Sequence, residues 1–428
     1  MTYKETLDYL LSQLPMYQRI GPAAYKASLD NTLALSKYLG RPETRFRSIH
    51  IAGTNGKGSV AHMIASVLQE MGLKTGLATS PHLKDFRERM RVMGEPVPKA
   101  EVVDFVRLHK NFLEKLRPSF FEMTMAMTFD WFSRQDLDFA VIETGMGGRL
   151  DSSNIIQPEI SVITNIGLDH TAFLGTTLAG IASEKAGIIK ETTPVVIGRR
   201  QKEVQKVFEQ KALDMGAPIY YASDLFSIEN VITKGNGLKL EISNYKGEFL
   251  KYTCGLTGSY QAENILTVLA VTDLLARTGR IRPDEDAVGR GLERVAGNTG
   301  IRGRWQQIGI SPAIICDTAH NTEGVFHVVS QLKEMDYSKL LIVFGMVDDK
   351  DRRSVLELLP RDASYYFCRP AVPRGLDAKE LAADARQLGL EGGVYGNPKE
   401  ALAAAKSDAM ASDLIFVGGS TFVVAEVI

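Results

Sequence analysis

The segment from Ser48 to Ser59 constrains the fold of this chain more than any other. It reads Ser-Ile-His-Ile-Ala-Gly-Thr-Asn-Gly-Lys-Gly-Ser, an apolar run that predicts a buried strand, followed by a glycine-rich turn that carries Lys57. A helix is predicted after the turn from apolar residues at helical spacing: Val60, Met63, Ile64, Val67, Leu68 and Met71. Gly72 is suited to end it. Strand, turn and helix in this order predict a cradle for phosphate.

The first backbone N–H groups of that helix face the turn, lack intrahelical partners and carry the positive end of the helix dipole. We therefore predict an anion site at Gly56, Lys57, Gly58 and Ser59, where Lys57 supplies a full charge and Ser59 a hydroxyl close to any bound magnesium. The spacing is a variant of the common phosphate loop GxxxxGK[ST], because Gly53 is only three positions before Gly56. The alternative is a glycine-rich turn without a ligand.

Composition narrows the class of protein. The chain has 428 residues, which is too long for one ordinary core and suggests two domains. Hydrophobic residues make up 44% and charged residues 24%, as in soluble globular proteins, and the net charge of -1 predicts neither nucleic acid nor membrane as a partner. Cys254, Cys316 and Cys368 are odd in number and widely spaced, which disfavours disulfides or a zinc cluster. With no signal-peptide core, we expect a cytoplasmic location.

Strands and helices alternate from residue 47 to about 225, which predicts an α/β fold whose mostly parallel sheet follows the phosphate loop. The predicted strands are 48–52, 74–79, 139–142, 160–164, 194–198 and 219–222. Residues 226–257 suggest short antiparallel strands at the sheet edge, with a turn at 234–237, and a helix is expected from Gln261 to about Leu275.

A glycine-rich stretch suggests where the two domains join. Residues 297–303 lack apolar periodicity and are predicted to be a linker between a first domain, 1–296, and a second, 304–428. The second is expected to be a smaller Rossmann-like α/β domain with a helix near 378–388. Its predicted strands are 313–316, 340–344, 364–368 and 414–417.

Polar side chains follow three strands of the predicted first sheet. Ser80 comes after strand 74–79, Glu143 after strand 139–142, and His170 after strand 160–164. Because parallel strands end at one edge of a sheet, we predict that these residues bind a metal ion beside the phosphate loop. The alternatives are an ordinary loop acid for Glu143 and a surface or core histidine for His170.

Eight segments together resemble one family, the folylpolyglutamate synthase/dihydrofolate synthase family of the Mur ligase superfamily. They run in order along almost the whole chain, and as a set they are specific, although the phosphate loop alone would suit any Mur-type ligase. The segments are Gly53–Ser59, Thr79–His82, Phe86 with Glu88-Arg89, Phe120–Glu122, Glu143–Asp151, Leu168–His170, Glu184–Lys190 and Asp317–Asn321.

The resemblance implies an ATP-dependent ligase. In this family an acyl phosphate forms on the carboxylate of 7,8-dihydropteroate or a reduced folate, and the amine of L-glutamate then displaces phosphate. It also implies Mg²⁺ at two sites and a carbamylated Lys185. A lysine carbamate is an anion that can help to hold a second cation, whereas an ammonium would be repelled. The alternative for Lys185 is an ordinary solvated helix lysine.

Further residues are predicted only through the resemblance. It implies that Asn264 contacts adenine, that Arg304 and Asp317 contact ATP, and that His320 lies near the phosphates. The catalytic residues expected are Lys57, Lys185 and His320. The residues expected to contact pterin or folate are Ser119, Phe120, Phe121, Glu122, Leu150, Asp151 and Ser152. The alternative for the two phenylalanines is an ordinary place in the core.

Two other functions remain open on the sequence alone. A ligase of cell-wall precursors shares the phosphate loop, but it gives no reason for the Phe120–Glu122 segment, and only about 45 residues precede the loop here. A nucleotide-dependent switch without ligation needs less metal-binding machinery than Glu143, His170 and Lys185 would provide. We expect a monomer that acts on small molecules.

Overall fold

A computed structural model describes residues 1–13, 28–233, 237–348 and 351–428. These residues form two compact units. The first comprises Met1–Gly255 and Gln261–Ile301, and the second comprises Leu256–Tyr260 and Arg302–Ile428. Within the described ranges, no helix is both long enough and apolar enough to span a membrane.

The first unit is built around a mostly parallel sheet. Its strands are β1 Ser48–Ala52, β2 Thr75–Ala78, β3 Met90–Val92, β4 Glu95–Pro96, β5 Phe139–Glu143, β6 Ile160–Ile163, β7 Val195–Ile197 and β8 Ile219–Tyr221. They lie in the order β4-β3-β2-β5-β1-β6-β7-β8, and β3 and β4 pair antiparallel at one edge. All the strands predicted here are present, with bounds that differ by one residue at most.

The order of these strands places the predicted site residues. Strand β1 pairs in parallel with β5 on one side and β6 on the other, so that Ile51 lies opposite Glu143 and Ala52 lies opposite Ile163. Strand β2 pairs with β5 on its far side. The four neighbouring strands β2, β5, β1 and β6 therefore end along one edge, which is where open α/β sheets bind their ligands.

Helices cover the sheet of the first unit and enclose its apolar residues. They are α1 Tyr3–Gln13, α2 Asp30–Tyr38, α3 Lys57–Glu70, α4 Lys99–Leu116, α5 Phe120–Phe132, α6 Thr171–Leu174, α7 Leu178–Ala186, α8 Lys202–Asp214, α9 Ala222–Leu225, α10 Gln261–Arg277, α11 Glu285–Glu293 and α12 Val295–Thr299. One core cluster packs α4 and α5 against Ala140 and Ile142 of β5. Another packs α7 and α8 against Ile163 of β6 and Val195 of β7.

The antiparallel strands after residue 225 differ from the prediction in one respect. Strands β9 Phe226–Ile232, β10 Leu238–Asn244 and β11 Phe249–Cys254 pair antiparallel, as expected, but they form a sheet of their own instead of extending the edge of the parallel sheet. Sequence pattern identifies such strands but not their partners, because pairing depends on tertiary packing. Most of the predicted turn at 234–237 lies outside the described residues.

The second unit is a smaller α/β layer structure, as predicted. Its strands β12 Gln306–Ile310, β13 Ala313–Cys316, β14 Leu340–Phe344, β15 Ser364–Cys368, β16 Gly392–Tyr395 and β17 Leu414–Gly418 lie in the order β12-β13-β17-β14-β15-β16. Only β12 pairs antiparallel, with β13. The helices are α13 Thr322–Lys333, α14 Arg352–Leu356, α15 Ala378–Gln387, α16 Pro398–Asp408 and α17 Thr421–Val427.

The predicted linker at 297–303 is partly wrong. Its first residues belong to α12, and Thr299 is fully buried there, with its hydroxyl 2.8 Å from Nδ1 of His62. Glycine content misled the sequence interpretation, because a short buried helix needs few apolar side chains of its own. The segment Leu256–Tyr260 belongs to the second unit, whereas the sequence interpretation placed it in the first domain.

Candidate active site

The turn after β1 contains two glycine positions at which no side chain fits. Gly53 has φ +151° and Gly56 has φ +82°, both in the region that favours glycine. A Cβ on Gly53 would lie 1.9 Å from Oγ1 of Thr164, and one on Gly56 would lie 2.3 Å from Oδ1 of Asn264. Both glycines are therefore required by close packing, and the turn presents main-chain groups rather than side chains.

Helix α3 starts directly at this turn, as predicted. Gly56 is its N-cap residue and makes no side-chain cap, so no side chain of that residue satisfies the N–H groups of the first turn. Ser59 is buried, and its Oγ accepts a hydrogen bond from Nε2 of Gln261 at 3.1 Å. Gln261 Oε1 in turn accepts from Nδ2 of Asn264 at 2.8 Å. Asn264 thus lies beside the turn, and Gln261 is a contributor that the sequence interpretation missed.

Two lysines converge on one carbonyl of the turn. Lys57 Nζ donates to the carbonyl oxygens of Gly53 at 3.1 Å and Thr54 at 3.2 Å, and Lys185 Nζ donates to the same Gly53 oxygen at 2.7 Å. Lys185 is 4% exposed, so the alternative of a solvated helix lysine is wrong. Burial, reinforced by the charge of Lys57, lowers the pKa of Lys185 to about 7. The turn is consequently a place where positive charge is concentrated and poorly compensated.

Of the predicted metal ligands, Glu143 ends β5, whereas Ser80 and His170 lie in the loops that follow β2 and β6. The Ser80 N–H donates to Oε2 of Glu143 at 3.0 Å, so these two residues are in contact, and Glu143 is 5% exposed. His170 begins α6 after β6, in the left-handed conformation, and its N–H donates to Oδ1 of Asp169. In the described ranges, no cluster of at least three His, Cys, Asp or Glu side chains has an arrangement suited to a metal ion. The predicted set is therefore a serine and an imidazole from two loops and a carboxylate from a strand end.

The glycine-rich loop after β5 is held by a buried carboxylate. Asp151 Oδ2 accepts from the N–H groups of Gly145 and Met146, both at 2.9 Å, and Oδ1 accepts from the N–H and hydroxyl of Ser153. Ser153 Oγ also lies 2.8 Å from Nε2 of His50 in β1. Burial raises the pKa of Asp151 although these hydrogen bonds oppose the shift.

The hydrogen bonds of Asp151 within the loop bear on its predicted contact with pterin. Its side chain was predicted to contact pterin, but both of its oxygens are used to fold the loop. Ser152 is buried and Leu150 is half-buried next to it. A Cβ on Gly148 would lie 3.0 Å from Cα of Lys185, so the loop also packs directly on α7.

Two further residues predicted to contact pterin form a helix cap. The N–H of Ser119 donates to Oε2 of Glu122 at 2.5 Å, and the N–H of Glu122 donates to Oγ of Ser119 at 3.2 Å, which is the reciprocal capping box of α5. The local pattern Ser-x-x-Glu carried this signal and the sequence interpretation did not use it. Phe120 is a core residue at 3% exposure, whereas Phe121 is half-buried with its ring against Gly145.

An arginine beside this region was not assigned any role from the sequence. Arg89 ends the turn Phe86–Arg89, is 5% exposed, and its Nε donates to Nδ1 of His82 at 2.7 Å. Its guanidinium carbon lies 5.2 Å from the centre of the Phe120 ring. Two of the segments that carry the family resemblance, Thr79–His82 and Glu88-Arg89, are in contact through this hydrogen bond. The sequence alone does not reveal that contact.

In the second unit, Asp317 follows β13 and is bound internally. Its Oδ2 accepts from the hydroxyl of Tyr260 at 2.6 Å and from the N–H of Trp305 at 2.7 Å, and its Oδ1 accepts from the N–H of Ala319 at 2.8 Å. The pKa of Asp317 is raised by burial, and that of Tyr260 is raised by burial and by the nearby carboxylate. Asp317 thereby ties the segment Leu256–Tyr260 to the second unit.

The other residues predicted in this unit lie close to Asp317. Arg304 Nη1 donates to Oγ1 of Thr318, and Nδ1 of His320 lies 3.0 Å from the carbonyl oxygen of Thr318. The structure therefore brings Arg304, Asp317 and His320 together at the end of β13. Their predicted contacts with ATP remain predictions.

Comparison with known proteins agrees with the fold. Residues 51–272 match the family described as Mur ligase middle domain, and residues 303–421 match Mur ligase, glutamate ligase domain. The chain is 31% identical to the folylpolyglutamate synthase of Lacticaseibacillus casei, over 98% of this chain and 96% of that protein.

Solved structures agree as well. The structure "E.coli FolC in complex with DHPP and ADP" has a TM-score of 0.86 at 27% identity, covering 100% of this chain and 97% of the other. A bifunctional folylpolyglutamate synthase/dihydrofolate synthase with Mn, AMPPNP and L-glutamate bound has a TM-score of 0.82 at 26% identity, covering 100% and 97%.

Some relatives are much longer than this chain. It is 33% identical to a probable bifunctional folylpolyglutamate synthase/dihydropteroate synthase of Haloferax volcanii, and it spans 50% of the length of that protein. The two family matches, the near-complete coverage of the Lacticaseibacillus casei enzyme and the order of the motifs all agree. The chain belongs to the folylpolyglutamate synthase/dihydrofolate synthase family of Mur ligases.

Proposed function

We propose that this protein is an ATP-dependent ligase that joins L-glutamate to 7,8-dihydropteroate, to reduced folates, or to both. The observation that carries the proposal is the convergence of Lys57 and Lys185 on the Gly53 carbonyl at the start of α3. Such concentrated positive charge is suited to a polyphosphate, and the family relationship supplies the reaction. The comparisons do not favour a cell-wall ligase or a switch without ligation.

The residues present fit ATP. Gly53 and Gly56 let the turn pack closely on Thr164 and Asn264, and the N-cap of α3 has no side chain of its own. Gly56, Lys57, Gly58 and Ser59 would hold the phosphates, and Asn264, beside the turn, would contact the nucleotide base. In the second unit, Arg304 and Asp317 would add nucleotide contacts and His320 would lie near the phosphates.

The residues present also fit a hard divalent cation. Ser80, Glu143 and His170 would hold Mg²⁺ through a hydroxyl, a carboxylate and an imidazole, with a second site proposed near Lys185. The cation would neutralise charge on the phosphoryl group that is transferred. The contact between the Ser80 amide and Glu143 supports this set, because it fixes the carboxylate at the strand end.

We further propose that Lys185 is carbamylated in the active enzyme. Carbon dioxide reacts with a neutral amine, and a pKa of about 7 leaves a large neutral fraction of Lys185 at physiological pH. A carbamate would replace the repulsion between Lys185 and Lys57 by attraction. Labelling with ¹³C-bicarbonate should give a carbamate ¹³C resonance that is absent from Lys185→Arg; a labelled wild-type protein without that resonance would remove the carbamate.

The chemistry needs no nucleophile from the protein. A carboxylate oxygen of the acid attacks the γ-phosphorus of ATP and ADP leaves; the amine of glutamate then attacks the acyl carbon, loses its proton, and phosphate leaves. Both substrates are anionic, so the contribution of this chain is to position them and to offset their repulsion. Lys57 lies at the phosphate loop and supplies that positive charge.

We also propose which part of the chain binds each substrate. Residues 1–296 would bind ATP and the pterin or folate acid, with contacts from Phe121 and the loop around Leu150 to Ser152, and residues 304–428 would complete the ligase. The three cysteines of the described chain are free and buried, which supports a reducing cytoplasmic location. The monomer remains a prediction, which light scattering on the purified protein would test.

Product analysis tests the proposal directly. The purified protein is incubated with ATP and glutamate and with either dihydropteroate or tetrahydrofolate, and mass spectrometry follows the acid. We expect a mass increase of one glutamyl residue on at least one acid, together with release of phosphate that depends on both the acid and glutamate. Phosphate release that does not depend on the acid or on glutamate would favour a nucleotide-dependent switch. Ligation of a UDP-muramyl acceptor would favour a ligase of cell-wall precursors.

A further inference from the structure

Arg89 is a buried cation whose bonding capacity is largely unused. A guanidinium has five N–H donors. Nε donates to His82, but Nη1 and Nη2 have no hydrogen-bond partner within the described part of the chain. The group is 5% exposed and lies over the ring of Phe120. Burying a charge with so few partners is unfavourable, so a partner beyond those that the described residues supply is expected.

Neighbouring groups do not supply that partner. The carboxylates closest in electrostatic effect are Glu143 and Glu88. Both oxygens of Glu88 accept from the backbone N–H groups of the loop before it, and Glu143 Oε2 accepts from Ser80. Burial lowers the pKa of Arg89 to about 10, so the group is still protonated at neutral pH.

His82 cannot balance the charge either. Nδ1 of His82 accepts the hydrogen bond from Nε of Arg89 at 2.7 Å. An imidazole carries no negative charge, so the ring orients the guanidinium without neutralising it. The positive charge of Arg89 therefore remains available to an incoming anion.

We propose that the Nη1 and Nη2 groups of Arg89 bind the carboxylate of the acid that this ligase activates. The proposal rests on the proposed function and names a substrate-binding residue for it. A carboxylate matches the planar fork of a guanidinium through two parallel hydrogen bonds and also cancels its charge, which a neutral carbonyl oxygen would not do. Phe120 and Phe86, whose ring centres are 5.7 Å apart, form an aromatic wall next to Arg89.

The position of Arg89 suits the carboxylate that reacts. Its charge acts on Glu143, which ends β5 at the edge where the phosphate loop also lies. A carboxylate held there would approach a polyphosphate of the same sign, and a buried cation reduces that repulsion. Arg89 would thus bind the acid and favour the first step of the reaction.

Binding of an acid and of its neutral analogue tests the proposal. Affinities of dihydropteroate and of its carboxamide are measured by calorimetry, without ATP or glutamate, for wild type and Arg89→Gln. We expect Arg89→Gln to weaken binding of the acid by about 10- to 100-fold and to change binding of the carboxamide by less than about threefold.

Arg91→Gln is the matched control. Arg91 is also buried, two residues further along on β3, and its Nη1 donates to the carbonyl oxygen of Gly94 at 3.0 Å. It should leave the affinity ratio between acid and carboxamide unchanged. Arg89→Gln acting equally on both compounds would overturn the proposal while leaving the ligase function intact.

Thermal stability separates an anion receptor from a structural arginine. Arg89→Met removes a poorly paired buried cation and should leave the Tm unchanged or raise it, and dihydropteroate should no longer raise the Tm of this variant as it does for wild type. A lower Tm with ligand stabilisation retained would overturn the proposal. A wild-type protein that binds neither dihydropteroate nor tetrahydrofolate and ligates neither would overturn this inference and the proposed function together.

Discussion

Two buried charged regions of this protein are built in opposite ways. At the strand-end edge of the first unit, Lys185 and Arg89 are buried cations with few partners, and Lys57 adds a third positive charge. At the end of β13 in the second unit, Asp317 is a buried anion whose two oxygens accept three hydrogen bonds. The cations of the first region have few hydrogen-bond partners, whereas both oxygens of Asp317 in the second region are hydrogen-bonded within the protein.

The difference separates two uses of a buried charge. A buried charge that is fully hydrogen-bonded holds structure together, and removing its partners is strongly destabilising. A buried charge that is poorly compensated lowers stability and persists because a ligand uses it. The comparison therefore predicts opposite stability changes when charges are removed from the two regions.

The largest effect is expected from Lys57→Ala. Loss of the charge at the phosphate loop should reduce ligation by about 10³-fold or more, because it acts on charge that develops during phosphoryl transfer. The Tm should hardly change, since Lys57 donates only to two carbonyls of the turn. Lys190→Ala is the control, because Lys190 Nζ also donates to a carbonyl, that of Asn154, away from the loop. Turnover near wild type would contradict the phosphate site.

Asp317→Ala should destabilise the second unit by about 2–4 kcal/mol, because it leaves three donors without an acceptor, and the N–H of Trp305 among them is buried. The chain has one tryptophan in each unit, Trp131 and Trp305. Urea unfolding in a Trp131→Phe background therefore reports the second unit through Trp305, which is bonded to Asp317. Tyr260→Phe should lose only about 1 kcal/mol. An Asp317→Ala variant as stable as wild type would break the comparison.

Lys185→Met should be more stable than wild type at pH 7, by an amount on the order of 2 kcal/mol. The folded pKa of about 7 lies below the ordinary lysine value of 10.5, so between these pH values the unfolded chain binds a proton that the folded chain does not. Stability of the wild type thus rises with pH across this window, and the advantage of the variant should vanish near pH 10. Thermal unfolding in buffer free of carbon dioxide measures this; an advantage independent of pH would refute it.

The smallest effect concerns the hydrogen-bond chain from His50 through Ser153 to Asp151. Ser153→Ala should lower stability by about 1 kcal/mol and should also raise the KM for the acid, because the chain orders the glycine loop. Ser66→Ala is the control, since Ser66 is equally buried and donates to Gly291 in α11. We expect it to lower stability by a similar amount without changing KM. Equal KM values for the two variants would contradict a role of this hydrogen-bond chain in binding the acid.

Local sequence signals predicted the bounds of strands and helices better than they predicted which residues are in contact. Strands 313–316, 340–344 and 364–368 have the predicted bounds, because short apolar runs between polar turns are recognisable without tertiary information. The same local pattern places Ser119 and Glu122 in the capping box of α5, and their contact with pterin, which the resemblance implies, stays a prediction. The site was predicted where side chains follow strands, since strand ends share an edge.

The sequence by itself determined the family, the alternation of strands and helices, and the phosphate loop, because these depend on motifs and periodicities within a few residues of each other. Tertiary structure alone decided the charge environment. Lys185 is buried where its Nζ donates to the carbonyl oxygen of Gly53, which is distant in sequence. Asp317 likewise accepts a hydrogen bond from the hydroxyl of Tyr260, which lies in a different segment of the chain. Burial and hydrogen bonding set a side chain's electrostatics, and both are properties of its neighbours in space.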